Sequence, residues 1–153
     1  MKSLFQAALA ILFLTCALQA SAQQDRGAWQ PDSHTASSIT GPIAISENRL
    51  SINFLGFTIV PLRALKPEEV AAVFDADVNT AGPGTLYHLN VAAEQRFLHK
   101  NTLCGSEATQ WMATYAYGKT LRVAFFSSSE PPQFTFDAIS NSTTLCGTYT
   151  YTR

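Results

Sequence analysis

The chain has 153 residues, of which 46% are hydrophobic and 14% are charged, and its formal net charge is −1. This length corresponds to one domain that can bury its own core. Because charged residues are sparse and no basic cluster occurs, nucleic acids and anionic membrane surfaces are poor candidates for partners.

Residues 1–22 have the pattern of a secretory signal peptide. Lys2 supplies a positive start, Leu4–Leu18 is mostly apolar, and Ala20–Ala22 reads A-S-A, which is a typical cleavage site. A transmembrane helix would need about 20 continuous apolar residues, so the apolar stretch is too short for one. We therefore expect a mature protein that starts near Gln23 and is periplasmic or secreted, with no transmembrane segment.

Three cysteines occur in the chain. Cys16 lies in the predicted leader and leaves a lipoprotein signal open, although Thr15 and Phe13 fit the lipidation motif poorly. Cys104 and Cys146 each stand in a TLCG tetrapeptide, and an even pair in an exported chain predicts a disulfide. Free thiols and a metal site are the alternatives, but a zinc site would lack histidines at the usual spacing.

The first part of the predicted mature chain is polar, and it is followed by a stretch in which apolar and polar residues alternate. Residues 23–38 are polar and turn-rich and are predicted to be a lead-in segment, in which Trp29 is the only large apolar side chain. Alternating apolar residues over 39–54 then predict a β-hairpin that turns at Glu47–Asn48, with Phe54 on its apolar face.

A third strand and one helix follow. Phe57–Leu62 is more uniformly apolar and predicts a strand whose end Pro61 weakens. A proline and two glutamates then open a short helix near residues 67–75. The stretch Asp75–Asn79 opens like a calcium-binding loop. Thr80 stands where such a loop has glycine and Leu86 where it has glutamate, so we expect no calcium to bind there.

The second half of the chain reads as further strands. The predicted strands are Thr85–Val91, Ala108–Tyr117, Leu121–Phe125 and Leu145–Arg153. With the earlier segments, the total is about eight short, mainly antiparallel strands and one short helix. The predicted architecture is all-β, a small meander barrel or a sandwich, with residues 39–153 as a single domain closed by one disulfide.

Aromatic residues are abundant, with fifteen after the predicted leader. Trp111, Tyr115, Tyr149 and Tyr151 fall on predicted core faces, which would place Cys146 on the outside of the last strand. A packed core is one interpretation. The other is a barrel interior in which these four side chains contact a small apolar ligand.

Signatures of catalysis are weak. Neither G-x-S-x-G nor H-E-x-x-H occurs, and His88 and His99 have no carboxylate beside them in the sequence. We therefore assign no catalytic residue, no metal ligand and no cofactor. A hydrolase with a non-standard site stays open, because catalytic triads are assembled by the fold.

Five short stretches are similar to those of a group of small exported proteins of proteobacteria that have no assigned activity. They are TGPIAIS at 40–46, LYHLNV at 86–91, NTLCG at 101–105, SSSEPP at 127–132 and LCGTYTY at 145–151. The resemblance implies a periplasmic protein with a disulfide and transfers no functional residue.

Three functions remain after the sequence is read. The first is a binding or inhibitor-type module whose loops contact a protein or an envelope component. The second is a carrier of a small apolar ligand, and the third is the hydrolase.

Overall fold

The computed structural model describes residues 24–153, so the predicted signal peptide at 1–22 lies outside the described residues. Eight strands form a closed barrel in which each strand is antiparallel to its neighbours in sequence and β8 pairs with β1. The strands are β1 (Gly27–Pro31), β2 (Ile43–Ile45), β3 (Arg49–Ile52), β4 (Leu55–Leu65), β5 (Gly84–Val91), β6 (Thr109–Tyr117), β7 (Thr120–Phe126) and β8 (Leu145–Thr152). The prediction of an all-β fold is confirmed, and a barrel rather than a sandwich is formed.

Closure of the barrel depends on a segment that the sequence analysis placed outside the domain. Strand β1 lies within the predicted lead-in segment, and its side chain Trp29 is fully buried in the barrel interior. The guanidinium of Arg153, at the other end of the chain, lies 4.3 Å from the centre of the Trp29 ring. The domain therefore begins before residue 39, because β1 supplies the pairing edge that β8 needs.

The predicted hairpin over residues 39–54 forms, but its last residue is elsewhere. Leu50 and Ile52 face the interior, whereas Phe54 lies in the two-residue turn between β3 and β4 and is 94% exposed. The chain reverses at Asn53 and Phe54, both of which have positive φ. Alternation alone cannot detect this turn, since Phe54 continues the apolar pattern.

One helix covers the outside of the barrel. Helix α1 (Pro67–Phe74) packs over β5, β6 and β7, and a short helix α2 (Phe136–Ser140) lies beside it. Val70 and Phe74 of α1 join an outer hydrophobic cluster that contains Trp111 and Tyr115. The predicted shared face of Trp111 and Tyr115 is buried as expected, but it points away from the barrel interior.

The connections between strands divide into two sets because successive turns of a meander alternate between its ends. Residues 32–42, 53–54, 92–108 and 127–144 connect strands at what we call the disulfide end. Residues 46–48, 66–83 and 118–119 lie at the opposite end, together with Gln24 and Arg153, which we call the terminal end.

The Cys104–Cys146 disulfide is present and joins the β5–β6 connection to the start of β8. The prediction that Cys146 points outward is wrong. The register between β7 and β8 shifts between Phe125 and Phe126 and leaves Cys146 in a bulge. This bulge packs Cys146 against the interior cluster and Leu145 against the outer one.

Across residues 24–153, no helix has the length and apolar character needed to cross a membrane.

Candidate functional site

The barrel interior is occupied by the chain's own side chains. Tyr149 and Tyr151 are buried there, and the Tyr149 ring meets Phe125 edge-on at a centroid distance of 5.3 Å. The Tyr151 hydroxyl lies 2.7 Å from that of Thr40, which comes from the β1–β2 connection. Burial raises the pKa of Tyr149 to about 12 and also raises the pKa of Tyr151. Eight strands give an interior that side chains can fill.

The four residues predicted to contact a ligand do not share one site. Tyr149 and Tyr151 face the interior, whereas Trp111 and Tyr115 belong to the outer cluster beneath α1. The indole N–H of Trp111 donates to the carbonyl of Ser128 over 2.8 Å, and His88 packs edge-on against its ring. The barrel wall therefore separates the two pairs.

A buried polar cluster that sequence analysis missed lies near the terminal end of the barrel. The Asp25 side chain is 1% exposed, and its Oδ2 accepts hydrogen bonds from the Tyr87 hydroxyl (2.9 Å) and the Thr114 hydroxyl (2.6 Å). Its Oδ1 has no hydrogen-bond partner. Desolvation raises the pKa of Asp25, and the two hydrogen bonds partly oppose that shift.

The same cluster affects Tyr87. Desolvation, followed by the charge of Asp25, raises the pKa of the Tyr87 hydroxyl, so Tyr87 acts as a donor and not as an anion. The only sequence signal for this cluster was the polar Thr114 among apolar neighbours on β6. The cluster contains no histidine or cysteine, and it is closed to solvent. It is therefore suited to holding the residues before β1 in place.

No histidine among residues 24–153 is paired with a carboxylate. His88 and His99 are exposed, and among the described residues the single ion pair joins Arg63 to Glu69. His34 Nε2 lies 3.5 Å from the Ser38 hydroxyl, which is at the long limit of a hydrogen bond. Residues 24–153 contain no group of three or more His, Cys, Asp or Glu side chains that could hold a metal ion.

The disulfide end carries an aromatic side chain in an unusual backbone position. Asn53 has φ 44° and Phe54 has φ 71°, so the β3–β4 turn places a phenylalanine where two-residue hairpins prefer glycine. A hydrogen bond from the Asn53 N–H to the Pro42 carbonyl (3.0 Å) ties the turn to the neighbouring connection. The turn is therefore held in one conformation although its phenylalanine is almost fully exposed.

A groove of about 360 Å³ adjoins this turn on the outer face of β1, β2 and β3. We call it the Phe54 groove, and it is lined by Ala28, Gln30, Pro42, Ile43, Ala44, Ser51, Asn53 and Phe54. None of these side chains is charged. The lining combines apolar groups with two side-chain amides, which resembles the centre of a protein interface more than an ordinary surface.

A second strained turn lies close to the first at this end. His99 (φ 53°) and Lys100 (φ 63°) are exposed and follow Leu98 in the β5–β6 connection. A methyl group added to Gly41 would lie 3.1 Å from Leu98 Cδ1 and 3.9 Å from Asn53 Oδ1. The two turns therefore approach each other at Gly41.

Comparison of the chain with protein-family models, with curated proteins and with solved structures found no match. The resemblance to exported proteobacterial proteins stays a prediction.

Proposed function

We propose that the protein is an exported binding module that holds a protein partner through Phe54 and the Phe54 groove. The observation that carries the proposal is the position of Phe54, which is 94% exposed and has a left-handed backbone. For a residue with a side chain, this conformation costs about 1–2 kcal/mol. Burial of the phenyl ring does not offset that cost in the free protein, and such strain is concentrated at functional sites.

The surroundings of Phe54 fit a protein interface. A binding hot spot is usually a rigid aromatic side chain that is surrounded by contacts of little binding energy. The uncharged groove would accept an apolar segment of the partner, while Phe54 would enter a pocket on it. Lys100 would stand at the edge, where a charged group affects association rates more than affinity.

Two further observations support this function over the alternatives considered from the sequence. The interior holds packed aromatic side chains where a carrier needs space for its ligand. The described histidines lack the carboxylate partners that a hydrolase would use. The leader-like residues 1–22 and the disulfide support export, because such bonds persist in oxidising compartments.

The test begins by finding the partner at the site itself. A photo-crosslinking amino acid at position 54, with the same group at exposed position 136 as control, is used to capture proteins that contact each residue. The captured protein is then purified, and its affinity is measured for the wild type, Phe54→Ser and Phe136→Ser. Phe136 is a suitable control because it is 73% exposed and lies on α2.

We expect capture at position 54 alone. We expect Phe54→Ser to lose about 2 kcal/mol of binding free energy, as hot-spot residues do, which corresponds to roughly a 30-fold weaker affinity. The Phe136→Ser variant should bind like the wild type. Equal affinity of Phe54→Ser and the wild type, or the absence of any position-54 adduct, would contradict the proposal.

A further inference from the structure

A second groove, at the terminal end of the barrel, differs in chemistry from the first. It has a volume of about 340 Å³ and lies between the connection that follows α1 and the outer face of β6 and β7. We call it the Tyr117 groove. Its polar, charged and aromatic lining residues are Asp75, Asp77, Thr80, Tyr115, Tyr117 and Arg122.

One wall of the Tyr117 groove is a row of three aromatic rings. Phe74 stacks on Tyr115 with a centroid distance of 6.1 Å, and Tyr115 contacts Tyr117 at 5.0 Å with an interplanar angle of 32°. Exposure rises along the row, from 0% for Phe74 to 7% for Tyr115 and 48% for Tyr117. Tyr117 is therefore a ring supported from behind, with an exposed surface that no side chain of the described residues covers.

Arg122 provides hydrogen-bond donors beside this ring. It lies directly across from Tyr115 in the β6–β7 pair, and one N–H donates to the carbonyl of Phe74. Its guanidinium also lies 5.5 Å from the centre of the Phe74 ring. Within residues 24–153 it forms no ion pair. Because a guanidinium has five N–H groups, Arg122 is fixed in position and keeps donors for a ligand.

The opposite wall provides acceptors. Asp75 ends α1 with a left-handed backbone (φ 51°), and Asp77 accepts from the backbone N–H of Asn79 over 2.9 Å. Both carboxylates are exposed, and neither is paired with a cation in the part of the chain that the structure describes. Each carboxylate retains lone pairs that can accept from a ligand.

These three features define the chemistry of the ligand. The two carboxylates would repel a phosphate or a carboxylate, whereas an amine would be attracted to them but would offer no acceptor to the N–H donors of Arg122. A neutral ring with an apolar face and several hydroxyl groups can contact the aromatic wall, the donors of Arg122 and the carboxylate acceptors at once. Its C–H face would cover the Tyr117 ring, and its hydroxyls would donate to Asp75 and Asp77 and accept from Arg122.

We propose that the Tyr117 groove binds a neutral saccharide ring, stacked on Tyr117 and hydrogen-bonded by Arg122, Asp75 and Asp77. This function is separate from partner binding at Phe54, because the β6–β7 turn and the β3–β4 turn lie at opposite ends of the barrel. The protein would then join a glycan at one end to a protein at the other.

The test is a titration of the isotope-labelled full mature chain, followed by amide chemical shifts. The probes are chitotetraose, cellotetraose and maltotetraose at concentrations up to about 10 mM, which detects dissociation constants in the millimolar range. We expect at least one of them to shift amides of residues 75–80 and 115–122. The shifts should be insensitive to added salt, because a neutral ligand releases no counterions.

Variants make the assignment specific. Tyr117→Ala and Arg122→Lys should each weaken binding at least tenfold, whereas Phe136→Ala should leave it unchanged. Tyr117 is half exposed, so its substitution leaves the fold intact, and unperturbed amides elsewhere in the barrel check this. The proposal is overturned if none of the three saccharides binds, if binding survives Tyr117→Ala, or if ethylamine alone shifts the same amides.

Discussion

Phe54 and Asp25 each occupy a position that opposes the chemistry of the side chain. Phe54 is apolar and stands in water on a left-handed backbone. Asp25 is a carboxyl group buried with one oxygen unpaired. In both cases the fold imposes the environment of the side chain. Substitutions at these residues should therefore change the free energy of unfolding in ways that can be predicted.

Glycine at position 54 should increase stability. Phe54→Gly removes the left-handed penalty of about 1–2 kcal/mol but adds unfolded-state entropy worth about 0.5–1 kcal/mol. We therefore expect a net gain of about 0–1.5 kcal/mol in the free energy of unfolding by urea, together with loss of partner binding. Phe54→Ala keeps the strain and should stay within about 0.5 kcal/mol of the wild type. A Phe54→Gly variant less stable than Phe54→Ala would show that the strain argument is wrong.

Asp25→Asn should change how stability depends on pH. Because burial raises the folded-state pKa of Asp25 above its ordinary 3.8, the folded protein resists ionisation of this group. The contribution of the protonated Asp25 to the free energy of unfolding is fully present below pH 3.8. It is lost as pH rises through the raised pKa. The difference in unfolding free energy, Asp25→Asn minus wild type, should therefore increase from acid to neutral pH.

Urea unfolding of both proteins at several pH values measures this difference, in which all other titrating groups cancel. A difference that does not vary with pH, or one that falls as pH rises, would mean that Asp25 ionises at least as easily in the folded state as in the unfolded chain.

At the scale of elements, the outer cluster under α1 is a second hydrophobic core. Trp111, Tyr115 and Phe126 lie on the outer faces of β6 and β7, and Val70 and Phe74 cover them from α1. A barrel strand with helical cover on its outer face is buried on both sides, so its sequence is apolar at nearly every position. Strand β6 shows this, because all residues from Trp111 to Ala116 are buried.

Trp111→Ala should therefore be costly although Trp111 lies outside the barrel. The side chain is 6% exposed and donates to Ser128, and truncation of such a residue costs about 3–5 kcal/mol. Gln110→Ala, at a half-buried neighbour, should remain within about 0.5 kcal/mol. Urea melts compare the two variants. A loss below about 1 kcal/mol for Trp111→Ala would indicate that α1 adds little to the domain.

At the scale of the whole molecule, closure joins elements from both ends of the chain. The β1–β8 pairing involves few residues, with Gln30 opposite Thr152 and Pro31 opposite Tyr151. Additional contacts support this seam, including the Arg153 guanidinium over Trp29 and its hydrogen bond to the Arg26 carbonyl (3.0 Å). The disulfide acts at the opposite end, where it joins the β5–β6 connection to the start of β8.

Removal of the disulfide should destabilise the whole barrel. Cys104 and Cys146 are separated by 42 residues, and the chain-entropy model assigns a loop of this length about 4 kcal/mol. We expect the Cys104→Ala/Cys146→Ala variant to lose about 2–4 kcal/mol, measured by urea unfolding. The wild type in reductant is the matched control, since it keeps both side chains. If both unfold like the oxidised protein, the bond does not constrain the unfolded chain.

Much of the architecture could be predicted from local patterns. Period-two alternation located most strands, the proline and glutamates located α1, and the cysteine pair indicated the disulfide. The signals for strands and helix lie in neighbouring residues. The disulfide could be predicted because only two cysteines follow the predicted leader. The all-β class and the antiparallel meander follow from them.

What tertiary structure alone decided is which face of each strand is inside. Alternation shows that Trp111, Tyr115 and Tyr117 share a face, but both faces of β6 are largely covered, so hydrophobicity cannot distinguish them. The bulge at Cys146 and the turn at Phe54 depend on pairing with distant strands, which no local pattern encodes. The Tyr117 groove shares this origin, because the fold of α1 over the barrel brings the connection that follows it beside β6 and β7.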